Sequence, residues 1–203
     1  LRLTAFATAA RGLAPPALRD LRRDHPRLRV SMEEAEPHEA VPRVARGDLD
    51  LSIVQDWFNA PLALPDGLSR AGLLDDVADV ALPEDHPLAG RDAVDIEELS
   101  GEPWITWSRG WICNSWLLHT LRAHGTEPDI AHTAAEHHTQ LALVAAGLGV
   151  AIVPRLGRDP VPAGVRFAGV RPALTRHVYA VWRADADRRP SIRAVIKALR
   201  RNA

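Results

Sequence analysis

Three clusters of side chains in the 203-residue sequence carry the residue types that recognition or catalysis needs. The first is Thr8 with Ala9 and Ala10, where an alternating apolar stretch gives way to a helical pattern. A hydroxyl there, beside the free N–H groups of a first helical turn, can face a bound carboxylate, or Thr8 can serve as a plain helix cap. The second is Gln55 with Asp56, directly after a run of β-branched and apolar residues. Asp56 would disfavour an anionic ligand unless paired or protonated and would suit an amine or a hydroxyl-rich ligand; a solvated loop residue is the plain alternative. The third is Thr106, Trp107, Ser108 and Arg109, followed by Trp111, Cys113, Asn114 and Ser115, an aromatic and hydrogen-bonding wall. Six tryptophans stand against one tyrosine. Trp57, Trp107 and Trp111 are expected in loops, where their faces would select a flat or apolar ligand, and Trp104 and Trp182 in the core. Arg109 can pair with a carboxylate or phenolate through its fork of donors, or stand as an ordinary surface arginine.

His137 and His138 open a later helix, where an unperturbed pKa of about 6.5 would make binding pH dependent. With His132 they hint at a metal, but adjacent helical residues point about 100° apart, and no cysteine or carboxylate pair completes a shell. Neither a metal nor a cofactor is expected. Cys113 sits at a helix start and could be a reactive thiolate. As a nucleophile it would need a base, and His119, six positions along the same helix, faces away. Paired carboxylates, a phosphate loop and a nucleophile elbow are missing, so no catalysis is expected.

The elements that must hold these clusters read as alternating strands and helices. Leu1 to Phe6 is a strand, Thr8 can cap a helix through Leu13, Leu18 and Leu21 that ends before Pro26 with Pro15 and Pro16 in its early turns, Leu28 to Met32 is a strand, Glu39 to Arg46 a helix stopped by Gly47, and Leu49 to Val54 a strand. Right-handed crossovers make these three strands parallel neighbours. After a loop at 66–71, Val77 to Leu82 is a strand, Val94 to Leu99 a short helical turn, Trp104 to Trp107 a strand and Trp111 to His124 a helix. Ile130 to Thr133, Glu136 to Ala146 and Val150 to Val153 complete a second cycle, and short strands at 165–167 and 177–182 lead to a closing helix at 191–200. The joint LALVAAGLGVAIVP is the most informative stretch: Gly147 can end a helix in the left-handed conformation, Gly149 can let the backbone re-enter a parallel sheet, and Pro154 can end the ladder.

The fold class is therefore α/β, with two Rossmann-like lobes: residues 1–76 with 158–203, and 77–157. A single continuous doubly wound sheet stays open as an alternative. In either case ligands bind beyond the C-terminal ends of the strands, which for two lobes means the cleft between them. With 25 basic and 26 acidic side chains the net charge is −1, so no global field favours nucleic acid or an anionic membrane. A lone cysteine excludes an internal disulfide framework. No apolar run approaches the roughly 20 residues that span a bilayer. The start, LRLTAFATAARGL, has neither an initiating methionine nor the pattern of a secretory signal, so a preceding segment is expected.

Four segments in order resemble the effector-binding domain of LysR-type transcriptional regulators. LRLTAFATAARGLAPPALRDLRRDHPRLRV is similar to the family's first strand, helix and "HP" turn, and RGDLDLSIV to its G-x-L-D-L third strand. LLDDVADVALPEDHPLAGR is similar to the crossover into the second lobe, and LALVAAGLGVAIVP to the characteristic late segment. The resemblance implies a type 2 periplasmic-binding-protein-like fold, with crossover strands joining the lobes and a small-molecule effector in the cleft. It also implies a cytoplasmic location and homodimers that form tetramers in the full-length protein, the helix near Gly12 to His25 packing on that near Trp111 to His124 of a second copy. DNA would be bound only through a winged helix-turn-helix domain preceding Leu1. The effector-binding residues implied are Thr8, Ala9, Gln55 and Asp56 in the first lobe, and Trp107, Ser108, Arg109, Trp111, His137 and His138 in the second. Pro37 stands where some relatives carry a hydroxyl, which removes one donor from a carboxylate clamp. The alternative is a transporter's solute-binding protein, which shares the architecture but would need an export signal.

Overall fold

A computed structural model of the protein describes residues 1–158 and 160–203. The chain forms two compact units, Leu1–Asp76 with Arg176–Ala203 (unit 1) and Val77–Thr175 (unit 2).

Unit 1 begins with β1 (Arg2–Ala5), α1 (Ala7–Gly12), α2 (Ala14–Asp24), β2 (Ser31–Glu34), α3 (Pro37–Arg46) and β3 (Leu51–Trp57). β1 lies between β2 and β3 and is parallel to both, as right-handed crossovers demand. The chain returns through β9 (Val165–Arg183), whose second half pairs antiparallel with β3, and ends in α6 (Pro190–Arg201). All seven positions of β3 are buried, which suits a central strand covered on both faces. Val41 of α3 packs on Val54, Tyr179 and Val181. α6 packs against α2, where Arg201 and Asn202 both donate to Asp20.

Unit 2 receives β4 (Leu68–Pro83), which starts in unit 1, and contains β5 (Ala93–Asp95), β6 (Pro103–Thr106), α4 (Ile112–Ala123), β7 (Asp129–Thr133), α5 (His137–Ala145) and β8 (Ala151–Pro154). β6 and β7 are parallel, and β5 runs parallel to the first half of β9. Ala81, Ile105, Leu141, Val144, Ala151, Val153 and Val165 form a continuous core, each large apolar side chain contributing about 1.5–3 kcal/mol on burial. Gly147 is left-handed at φ 71°, and Leu148 N–H caps the carbonyl of Leu143. Gly149, at φ 146°, is a close approach: a Cβ there would lie 2.3 Å from the carbonyl oxygen of Pro103.

Several expectations are corrected. The helix from Thr8 breaks at Leu13, because Pro15 and Pro16 fit only a first turn and the helix restarts at Ala14. The loop expected at 66–71 is largely strand, since β4 already begins at Leu68. The strands at 165–167 and 177–182 are one strand of 19 residues, β9. Val165–Thr175 accordingly belongs to unit 2, not to the first lobe, because β5 pairs with this half of β9. β8 is antiparallel to β4; its parallel contact is a single bridge between Trp104 and Val150, directly after Gly149.

Candidate functional site

In unit 1 the elements following β1, β2 and β3 meet at one buried arginine. Arg176 lies in β9 opposite Trp57, and its side chain is 1% exposed. Nε and Nη2 donate to Asp76 Oδ2 at 2.9 and 2.7 Å, Nη2 donates to Thr8 Oγ1 at 2.7 Å, and Nη1 donates to Gln55 Oε1. The guanidinium also lies 5.1 Å from the Phe6 ring and 6.0 Å from that of Trp57, the distances at which a ring face attracts a cation. Leaving either charge of such a pair alone in the interior costs about 3–5 kcal/mol, so the cluster is fixed geometry. Because Thr8 accepts from Arg176, its own hydroxyl proton is directed elsewhere, as a donor.

Glu36 stands at the N-cap of α3, after β2. Burial pushes its carboxyl up to about 7; the Arg176 charge opposes this, and Glu34 and Glu39 add to it. Thr8, Glu36 and Gln55 thus occupy the C-terminal ends of three parallel strands, where open α/β sheets recognise ligands.

Gln55 and Asp56 lie on opposite faces of β3, as strand geometry requires. Asp56 is not a solvated loop residue: it is buried within the strand and accepts hydrogen bonds from Tyr179 Oη and Leu62 N–H, each at 3.1 Å. Burial, with the Asp56 carboxylate, pushes the Tyr179 hydroxyl well above its usual range, so it remains the donor. Thr8 is not a cap; the N-cap of α1 is Phe6, whose carbonyl engages the N–H of Ala10, which is therefore not free for a ligand. Ala9 is fully buried and its carbonyl ends the short helix through Leu13 N–H. Pro37 opens α3.

In unit 2 the segment after β6 is held by short local bonds. Asn114 Nδ2 donates to the carbonyl of Trp107 at 3.0 Å, and Trp111 N–H to that of Ser108 at 3.2 Å. Ala134 N–H reaches the carbonyl of Thr106, and Gln140 Nε2 that of Ala134, which ties the start of α5 to the end of β6. Trp107 meets His137 edge to face at 5.6 Å. Thr106 Oγ1 and Gln140 Oε1 are buried without a hydrogen-bond partner among the described residues, an uncommon and costly state for a core atom. Trp107, Ser108, Trp111 and His137 thus come together here, with Arg109 and His138 exposed nearby in the chain.

One tryptophan departs from expectation: Trp57 ends β3 and is fully buried, whereas Trp107, buried, and Trp111, half-buried at the N-cap of α4, stand in the loop after β6, and Trp104 and Trp182 are in the core. Cys113 is buried. Among the described residues no three His, Cys, Asp or Glu side chains are grouped as metal ligands would be, and no helix is long and apolar enough to cross a membrane.

Arg176, Asp76 and Glu36 were missed by sequence reasoning. The available signal was a lone arginine in the apolar strand TRHVYAVW and a paired Asp75–Asp76 in LLDDVADV, charges that alternation places on an inward face.

The profile of the LysR substrate binding domain matches residues 1–203. The HTH-type transcriptional regulator TtuA of Agrobacterium vitis is 35% identical over 173 residues, covering 82% of this chain and 54% of its own. The chain spans about half the length of the relatives it matches. The effector-binding domain of BenM, solved with its effector benzoate, superposes with a TM-score of 0.85 at 20% identity, covering 99% of this chain and 90% of its own. An OxyR C206 mutant of Corynebacterium glutamicum gives 0.84 at 22%, covering 100% and 63%. The common fold is the type 2 periplasmic-binding-protein-like one.

Proposed function

The chain belongs to the LysR substrate-binding domain family, a family of transcriptional regulators and not of enzymes, and from that premise we propose that it senses a small-molecule effector for a DNA-binding regulator. The observation that carries the reading is the Arg176 cluster, which holds Thr8 and Gln55 at the ends of parallel strands with a hydroxyl donor to spare. The Trp107–His137 pair and the unpartnered oxygens of Thr106 and Gln140 support a second set of contacts in unit 2. Ala9, Asp56, Ser108, Arg109, Trp111 and His138 remain in the proposed set; Asp56 acts there through Tyr179 and not as a free carboxylate.

Sensing needs only that the effector bind one of two arrangements of the protein better than the other. DNA contact belongs to a helix-turn-helix segment outside these residues, in keeping with the names of the relatives. The whole regulator works as a homodimer or tetramer in the cytoplasm. A transporter's solute-binding protein is not favoured, because the relatives are regulators.

Native mass spectrometry of the chain against aromatic acids, amines and antibiotic-like metabolites identifies the effector. Thr8→Val and Trp107→Ala are each expected to weaken it about tenfold, the worth of one good hydrogen bond or ring contact, with folding retained. Unchanged affinity in both variants would remove these residues from the site.

A further inference from the structure

At an N-cap a carboxylate ordinarily accepts from the N–H of the second or third helical residue, but the Glu36 side chain makes no such bond to α3. Only its backbone engages the helix, the carbonyl accepting from Glu39 N–H at 3.0 Å and Ala40 N–H at 2.9 Å. The carboxyl is half-buried and has neither a hydrogen bond nor an ion pair among the described residues. α3 also begins with Pro37, which has no N–H, so its first turn lacks one of the donors that would hold an anion.

The charges around this carboxyl are unevenly matched. Arg176 in β9 is the basic group that acts on it, and Glu34 of β2 and Glu39 of α3 act in the opposite sense. Arg176 already donates twice to Asp76 of β4, so its positive charge is matched before Glu36 is counted. Whatever occupies the ends of β1, β2 and β3 therefore meets a carboxyl with no cation of its own. A carboxylate brought there stands among like charges, whereas an ammonium supplies the missing partner.

We propose that the effector carries a positively charged nitrogen, as a primary amine does, and that Glu36 is the residue that selects it. This rests on the reading of the Thr8–Gln55–Arg176 cluster as the recognition site and names the ligand chemistry it takes. The ammonium donates to the Glu36 carboxylate in a charge-assisted bond. The Thr8 hydroxyl, which accepts from Arg176, donates to an acceptor elsewhere on the same molecule. Because burial pushes the Glu36 carboxyl up to about 7, most free molecules hold its proton at about pH 6. Binding then turns carboxylic acid and ammonium into a carboxylate–ammonium pair, and the proton leaves to solvent.

The test is isothermal calorimetry of the 203-residue chain at about pH 6 with tyramine, its neutral isostere tyrosol and the anionic 4-hydroxyphenylacetate. Saturable 1:1 binding of tyramine is expected, at least about fivefold tighter than of either counterpart, since charge-assisted hydrogen bonds are the strong ones. In Glu36→Gln, with folding checked by its thermal transition, the preference for tyramine over tyrosol should vanish. As a second measurement on the parent, titrations in two buffers of different ionisation enthalpy should show the greater part of one proton released per tyramine bound. No saturable binding of tyramine, 4-hydroxyphenylacetate bound as tightly, a preference that survives in folded Glu36→Gln, or no proton released by the parent overturns the proposal. Thr8→Val keeps the two readings apart. If 4-hydroxyphenylacetate binds best and Thr8→Val weakens it, the recognition site stands and the ammonium assignment falls; if Thr8→Val and Trp107→Ala leave every bound compound unaffected, the site itself falls.

Discussion

At the scale of single residues, the site is built on charge that the fold has buried. Thr8 and Gln55 were legible in the sequence, because a hydroxyl after a strand and an amide after a strand have one natural place in an α/β unit. Arg176 was not, because nothing local tells whether an arginine in a strand faces solvent or a carboxylate 100 residues away. Glu36 was hidden for the same reason: its environment is made by Arg176 and by burial, neither of which is local. It also gives a pH prediction. Its carboxyl titrates near 7 in the folded chain against an ordinary 4.5, so between those values the native state holds a proton that the unfolded chain releases. Stability contributed by this group is therefore full below about 4.5 and falls as pH rises toward 7. Urea denaturation at pH 5 and pH 8 should show a smaller loss of stability in Glu36→Gln than in the parent, other groups titrating alike in both; equal losses would contradict the buried carboxyl.

At the scale of elements, hydrophobic periodicity and glycine placement found most strands and helices. The misses around Gly and Pro have two causes: at Gly169 and Pro172 a continuous strand was read as interrupted, and at Pro15 and Pro16 an interrupted helix was read as continuous. Gly169 and Pro172 divide a stretch that is one strand, since Gly169 N–H bonds to the carbonyl of Asp92 as β5 begins to pair. Pro15 and Pro16 were placed inside a helix whose first turn they in fact define. The joint from α5 to β8 was read well in its glycines and wrongly in the direction of pairing, because pairing direction depends on β4, which is remote in sequence. The two glycines there differ in kind. Gly147 has open space at its Cβ position, so Gly147→Ala should cost about 1 kcal/mol, the strain of a left-handed alanine. Gly149→Ala meets a backbone carbonyl at 2.3 Å as well. It should cost about 3 kcal/mol or more, as strain and overpacking add. Equilibrium urea unfolding of both variants checks the ranking.

At the scale of the whole molecule, composition excluded a membrane span and a charge-driven nucleic-acid surface, and the order of motifs led to the family. The division into two units was legible; the second crossing was not, because β9 carries it without any interruption. A sensor must also be stabilised by what it senses. An effector at 100 times its Kd adds about 2.7 kcal/mol to the stability of the form that binds it. For a chain of this size each kcal/mol moves Tm by about 2–4 °C, so saturation should raise Tm by about 5–11 °C in differential scanning calorimetry. A compound that calorimetric titration finds tightly bound, yet leaves Tm unmoved, would have no preference for the folded form and could not be the signal.

Asp76 is the last residue of unit 1 before the chain leaves it, and Arg176 the first on return. Their ion pair brings together two points between which 99 residues are looped out, the span Val77–Thr175. Topologically, unit 2 is a cassette inserted into unit 1 with its entry and exit clasped side by side. Exchange of such a cassette between related proteins would leave the host's own fold with both ends already in register, so the same sheet could be refitted with a different sensor wall.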